Sequence, residues 1–162
     1  MSNLEFWIYF LLFIYVVLMI FIVVYTIVRT KQIRETINGL ASNTLEITPE
    51  EFMKLRKESF GGRGQPSYAL KMNFAGVYIL YNKTKNLYYV GQGKQILNRV
   101  NAHFTGKGNG DVYADYKYGD KFTIKMISLE KSGYNSLNKL EKDMIMTYNS
   151  FAKGYNKTRG NR

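Results

Sequence analysis

Apolar residues are spread along this chain in two different ways. Residues 6–28, FWIYFLLFIYVVLMIFIVVYTIV, run from Phe6 to Val28 without a charge, a stretch of 23 positions. Beyond it the apolar positions become periodic and are broken by polar turns. At about 1.5 Å rise per residue, a helix over the first run covers roughly 30 Å of hydrocarbon. Trp7, Tyr9 and Tyr25 fall near its ends, where amphipathic rings favour the headgroup zone. The run therefore predicts a single transmembrane helix. A secretory leader would need a basic start, a shorter apolar core and a small-residue cleavage site. The flanks MSNLE and VYTIVRTK supply none of these. A core helix of a soluble protein would carry a polar face. Glu5 precedes the run and Arg29, Lys31 and Arg34 follow it. By the positive-inside rule, residues 1–28 are a short outside N-terminus plus a single pass through the cell membrane, and the rest is cytoplasmic.

The remainder divides by pattern into a linker with a short helix, residues 29–70, and a compact domain, residues 71–162. In the linker, Thr48, Pro49, Glu50 and Glu51 form a capping-box sequence with Pro at the first helical position. It predicts a short helix, EEFMKLRKESF, stopped at Gly61 and Gly62, and then a loop, GGRGQPS. AGVYILY and NLYYVG predict two antiparallel strands. KQILNRVNAHF predicts a helix, with Ile96, Val100 and Phe104 at helical spacing. A Gly-rich excursion with a short helix comes next, then a third strand, KFTIKMISLE. SLNKLEKDMIMTYNSF predicts an amphipathic helix striped by Leu137, Leu140, Met144 and Tyr148. The expected fold class is α+β, with a three-stranded antiparallel sheet flanked by helices.

Charge narrows the partners. All 23 Lys and Arg residues and 11 of the 12 acids lie after Val28, a net +12 for that part. Such a surface suits either the anionic inner leaflet or nucleic acid. Lysines scattered among tyrosines, rather than massed beside the apolar run, favour nucleic acid. Lys83, Lys85, Lys94, Lys107 and Lys157 are the candidate contacts. There is one His and no Cys, and no carboxylate cluster, which sets aside zinc sites, thiol nucleophiles and a Ser-His-Asp triad. GQGK lacks the full GxxxxGK[ST] of a phosphate loop.

Several residues carry possible chemistry. Arg99 and His103 are four apart and share a helix face, which on pattern alone is a solvated face. Glu141 borders the apolar stripe of the last long helix, where a carboxylate is costly without a partner, a metal or solvent. Tyr78 and Tyr89 suit a sheet core equally well.

Taken together, these residues resemble a known signature. GVY at 76–78 and YVG at 89–91, with ten residues between the tyrosines, resemble the motif of the GIY-YIG nuclease family, with Val for Ile twice. Arg99, His103, Glu141 and Asn156 (in GYN) follow in the family's order, and the resemblance covers about residues 73 to 158. It implies a Mg²⁺- or Mn²⁺-dependent phosphodiester hydrolase with one ion held by Glu141. Arg99 would brace the phosphate. Tyr78, or water on the metal, would deprotonate the nucleophile, and Tyr89 would orient water or phosphate. The resemblance further implies that His103 shuttles a proton near neutral pH and that Asn156 positions backbone or phosphate. Gly76 and Gly91 complete the motif, Gly91 allowing a close approach that a Cβ would obstruct. The expected protein is a membrane-anchored endonuclease cutting DNA at the cytoplasmic face, with RNA left open and incoming phage or plasmid DNA as an attractive target. The alternatives are a tethered module of the same fold that binds nucleic acid or a partner without cutting, and a structural membrane protein whose basic domain binds lipid.

Overall fold

A computed structural model describes residues 3–57 and 72–160. The chain forms two units, Met1–Thr36 and Ile37–Arg162. Helix α1, Asn3–Ser42, starts in the first unit. Its most apolar 18-residue window has a mean hydropathy of 3.0 and none of it is buried. By length and composition it is long and apolar enough to cross a membrane.

The second unit is built on a sheet. Strand β1 (Glu46–Ile47) precedes helix α2 (Pro49–Lys57). Strands β2 (Gly76–Asn82) and β3 (Leu87–Gly93) form a hairpin, followed by helices α3 (Ile96–Phe104) and α4 (Gly110–Lys117). Strand β4 (Phe122–Ser128), helix α5 (Leu137–Thr147) and the single turn α6 (Ser150–Lys153) complete it. The sheet order is β1-β4-β2-β3, and every pairing is antiparallel.

The sheet thus has four strands, not the expected three. The extra strand is two residues long, Glu46 opposite Lys125 and Ile47 opposite Ile124. Two residues cannot display a period of two, so no alternation announced it. It comes from the stretch assigned to a linker. From Ile37 onward that stretch belongs to the compact unit, and Phe52 of α2, 1 % exposed, sits in its core. Burying such a ring contributes roughly 2–3 kcal/mol. The capping box forms reciprocally: Thr48 N–H donates to Glu51 Oε2 at 2.7 Å and Glu51 N–H to Thr48 Oγ1 at 3.2 Å. The expected Gly-rich loop and the domain start at 71 lie outside the described residues.

Register separates the sheet into two faces. Tyr78, Leu80 and Tyr89 point to one face and pack in a core with Phe52, Ile96, Leu97, Val100, Phe104 and Ile124. Val77, Ile79, Val90 and Gln92 alternate to the other face. There α5 contacts β3 and β2, with Leu140 and Met144 fully buried. Tyr81 and Tyr88 stack on this second face at 4.4 Å, and Tyr148 packs on Tyr88 at 4.9 Å. Strand β3 is the sheet edge, and both helical layers reach past it.

Candidate active site

The pleat puts Tyr78 of β2 directly opposite Gly91 of β3. The Tyr78 ring lies across that glycine, and a Cβ there would run into the phenol. This is the obstruction that makes residue 91 a glycine. Gly76 is similarly constrained, because a Cβ would strike the Ile127 carbonyl on the neighbouring β4.

Helix α3 supplies the next groups. Its apolar residues Ile96, Val100 and Phe104 are buried against the sheet, which fixes the rotation of the helix. His103, one residue from Phe104, is carried inward with them and is 2 % exposed. Arg99 is exposed, its stem lying over Gly93, where an added Cβ would come within 2.7 Å of its Cγ. The Tyr89 and His103 rings are 4.7 Å apart, and those of Tyr78 and His103 5.4 Å.

Hydrogen bonds fix the imidazole's tautomer. The Asn109 backbone N–H donates to His103 Nδ1 at 2.9 Å, so that nitrogen carries no proton. Neutral His103 is therefore protonated on Nε2, which donates to the Tyr78 hydroxyl at 2.8 Å. The Tyr78 and Tyr89 rings lie 6.1 Å apart, and the two hydroxyls influence each other, Tyr89 raising the Tyr78 pKa and Tyr78 lowering that of Tyr89. Proton donation thus runs in one direction, from Asn109 through His103 to the Tyr78 hydroxyl.

Burial dominates the electrostatics. It pushes the His103 pKa down to about 4, and the positive charge of Arg99 adds to the effect. His103 is thus a buried imidazole, favoured in its neutral form, that donates to Tyr78. Burial drives the Tyr78 phenol far above its ordinary value, with Tyr89 adding to the rise and Arg99 partly offsetting it. Tyr89 is also raised by burial, while the Tyr78 hydroxyl and Arg99 pull it down and Glu141 raises it. Tyr89 is the residue that interacts with Tyr78, Arg99 and Glu141 alike.

Glu141 comes from α5, on the other side of the sheet edge. It is 7 % exposed, and Gln92 Nε2 donates to its Oε2 at 3.0 Å. Asn156 holds the edge strand itself. Its Oδ1 accepts from Val90 N–H at 2.9 Å and its Nδ2 donates to Val90 C=O at 2.7 Å. Tyr155 N–H adds a bond to the Tyr88 carbonyl at 2.9 Å. Of the two expectations for Asn156, backbone or phosphate, the structure has it on backbone.

The lysines divide. Lys83 and Lys85 lie on the hairpin turn, about 16 Å along the strand from Tyr78 at ~3.3 Å per residue. Both are engaged by carboxylates, Lys83 with Glu46 at 3.3 Å and Lys85 with Asp115 at 2.6 Å. Lys157 pairs with Asp111 at 2.6 Å. Lys94 and Lys107 are exposed on the segments flanking α3, on the site's own side of the hairpin. The tertiary pairing of the turn lysines has no signature in local sequence. Gln92 and Asn109 were not among the expected site residues. Each has a sequence cue, since Gln92 directly follows YVG and Asn109 is the N-cap of α4.

The carboxylate oxygens of Glu141 suit a hard dication, which needs only one or two carboxylates when waters and a phosphate complete its shell. Among the described residues no three His, Cys, Asp or Glu side chains converge, so Glu141 would be the carboxylate that holds such an ion. Comparison with curated proteins and with solved structures returns no match. The family model for the GIY-YIG catalytic domain matches residues 74–156, spanning Tyr78, Tyr89, Arg99, His103, Glu141 and Asn156. The chain belongs to the GIY-YIG family.

Proposed function

We propose that this protein is a membrane-anchored, divalent-metal-dependent endonuclease that hydrolyses DNA phosphodiesters at the cytoplasmic face. Membership of the family implies nuclease-type function and a nucleic-acid substrate. The single observation that supports carrying the reading to this chain is that Tyr89 lies within electrostatic range of both Arg99 and Glu141. A phosphodiester hydrolase needs a cation beside the phosphate, a carboxylate for the metal and a proton acceptor between them.

Tyr78 is completely buried and its hydroxyl is committed to His103. It has no surface to offer a nucleophilic water. Half-buried Tyr89 does, and its ring packs against that of Tyr78 at 6.1 Å. Tyr89 is therefore the phenol assigned to orient the water, with Tyr78 packed behind it. Arg99 supplies a planar fork for two phosphate oxygens. Glu141 holds one Mg²⁺ or Mn²⁺, which when bound neutralises charge building on the phosphate. Asn156 keeps β3, and with it Tyr89, in register.

The 23-residue charge-free run in α1 is the proposed anchor, with the basic flank inside. Tethering restricts the enzyme to nucleic acid reaching the membrane, which fits defence against entering phage or plasmid DNA. The test is cleavage of supercoiled plasmid by the full-length protein with Mg²⁺ or Mn²⁺ and with chelator. Wild type is expected to cut only with metal, and Glu141→Ala and Arg99→Ala to retain binding but lose cleavage. Intact plasmid under all conditions would sink the nuclease reading.

A further inference from the structure

We propose that Gln92 is a positioning residue that presents the Glu141 carboxylate to the metal through a neutral amide donor. This rests on the nuclease reading above and adds a residue to it. Gln92 Nε2 donates to Asn138 Oδ1 at 2.7 Å and to Glu141 Oε2 at 3.0 Å. Asn138 and Glu141 are three residues apart on α5 and share one face of the helix. Both partners are acceptors, so the amide nitrogen, and not its oxygen, faces α5. Its two hydrogens are divided between the two side chains, and the bond to Asn138 stops the amide from swinging away from Glu141.

Gln92 ties together parts of the site that come from opposite faces of the sheet. Its backbone is paired with Val77 of β2, and it follows Gly91 directly. Its side chain alternates to the α5 face while Tyr89 and Gly91 take the other. The same strand therefore sets Tyr89 on one side and, through the amide, the carboxylate on the other. The gap between Tyr89 and Glu141 depends on that link.

A neutral donor is the chemistry a cation site needs. A hydrogen bond from an amide favours the ionised carboxylate and aims it. A lysine or arginine here would also donate, but its charge would pair with Glu141 and repel an incoming dication. This difference separates the proposed role from a merely structural one. A structural hydrogen bond would survive Gln92→Lys, whereas a metal-presenting one would not.

The test is Mn²⁺ binding to the full-length protein in detergent, followed by electron paramagnetic resonance and paired with thermal unfolding. Gln92→Met keeps length and removes both donors. It is expected to weaken Mn²⁺ binding by about 10- to 100-fold, the usual cost of losing a ligand's hydrogen-bond partner. Saturating Mn²⁺ should restore its cleavage rate. Gln92→Lys should keep the unfolding midpoint and bind Mn²⁺ less well than Gln92→Met, and it carries the test if the Met variant does not fold. Wild-type affinity in either folded variant, with binding lost in Glu141→Ala, overturns the role of Gln92 and leaves the nuclease reading standing. No Mn²⁺ binding by wild type overturns both.

Discussion

The two ends of the β2–β3 hairpin each carry tyrosine, asparagine, a cation and carboxylates, yet they are organised in opposite ways. At the turn, Asn82 is fully buried, and its Nδ2 donates to both Asp120 Oδ2 and Tyr155 Oη at 2.7 Å. Tyr155 donates on to Asp115 at 2.6 Å, Lys85 closes the circuit, and Asn82 Oδ1 accepts from the Thr84 and Lys85 backbones. Each donor ends on an acceptor inside the ring. At the open end, donation from Asn109 through His103 runs one way and stops at Tyr78, whose ring packs on Tyr89 near an exposed Arg99 and the Glu141 carboxylate. A closed circuit spends its hydrogen bonds on holding the turn together. A directed one stops at a phenol whose neighbour, Tyr89, has a cation and an anion for company. Residue types alone do not distinguish them.

Six substitutions break or sharpen that contrast. Glu141→Gln removes the open end's anion with little change of shape, and cleavage should fall by about 10²–10³-fold while the unfolding midpoint holds. Single-turnover plasmid cleavage reads this, and activity near wild type would return Glu141 to a structural role. His103→Gln tests the buried imidazole through stability. The unfolded chain's His protonates near 6.5 and the folded one's only near 4. The unfolded state thus holds the extra proton between those values. This contribution is complete above pH 6.5 and is lost as pH falls through about 4, on the order of 3 kcal/mol. Urea unfolding at pH 7 and at pH 4.5 should show a smaller drop in the Gln variant than in wild type. At the closed end, Tyr155→Phe strands an Asn82 N–H and an Asp115 oxygen, costing about 1–3 kcal/mol. Its cleavage rate at a permissive temperature should not move, and a lost rate would mean that the two ends are coupled. The smallest effect concerns the lysines. Lys94→Ala and Lys107→Ala should each lower the salt-dependence slope of DNA binding by about 1, and Lys83→Ala should leave it unchanged.

Sequence pattern reached the elements that repeat or carry a marked residue. The two strands of the hairpin were legible from alternating apolar positions and the α3 helix from Ile96, Val100 and Phe104. The capping box at Thr48 and Glu51 forms as its spacing requires. Spacing between the tyrosines, Arg99, His103, Glu141 and Asn156 was enough to place them in one family. What sequence did not reach depends on tertiary neighbours. Strand β1 exists because Lys125 and Ile124 offer it partners, and two residues have no period of their own. His103 has an ordinary local context, and only the closure of the 105–109 segment over its ring dries and neutralises it. Lys83 and Lys85 sit in a basic-looking turn, but carboxylates from 30 or more positions along the chain reach Lys85. The turn is thereby tied together by carboxylates, and Lys94 and Lys107 are the lysines proposed to contact nucleic acid.

The Asn156 clasp has a consequence in time. The strand that bears Tyr89 is fastened at its edge by a side chain 66 residues further along. Contacts of such long separation form late, because their loop entropy is met before they bring any return. During synthesis the hairpin, Arg99 and Glu141 have all been made before the residue that sets the edge strand in register. The local pairing of β2 with β3 can therefore precede the clasp on the strand that bears Tyr89, which closes only after Asn156 has been made.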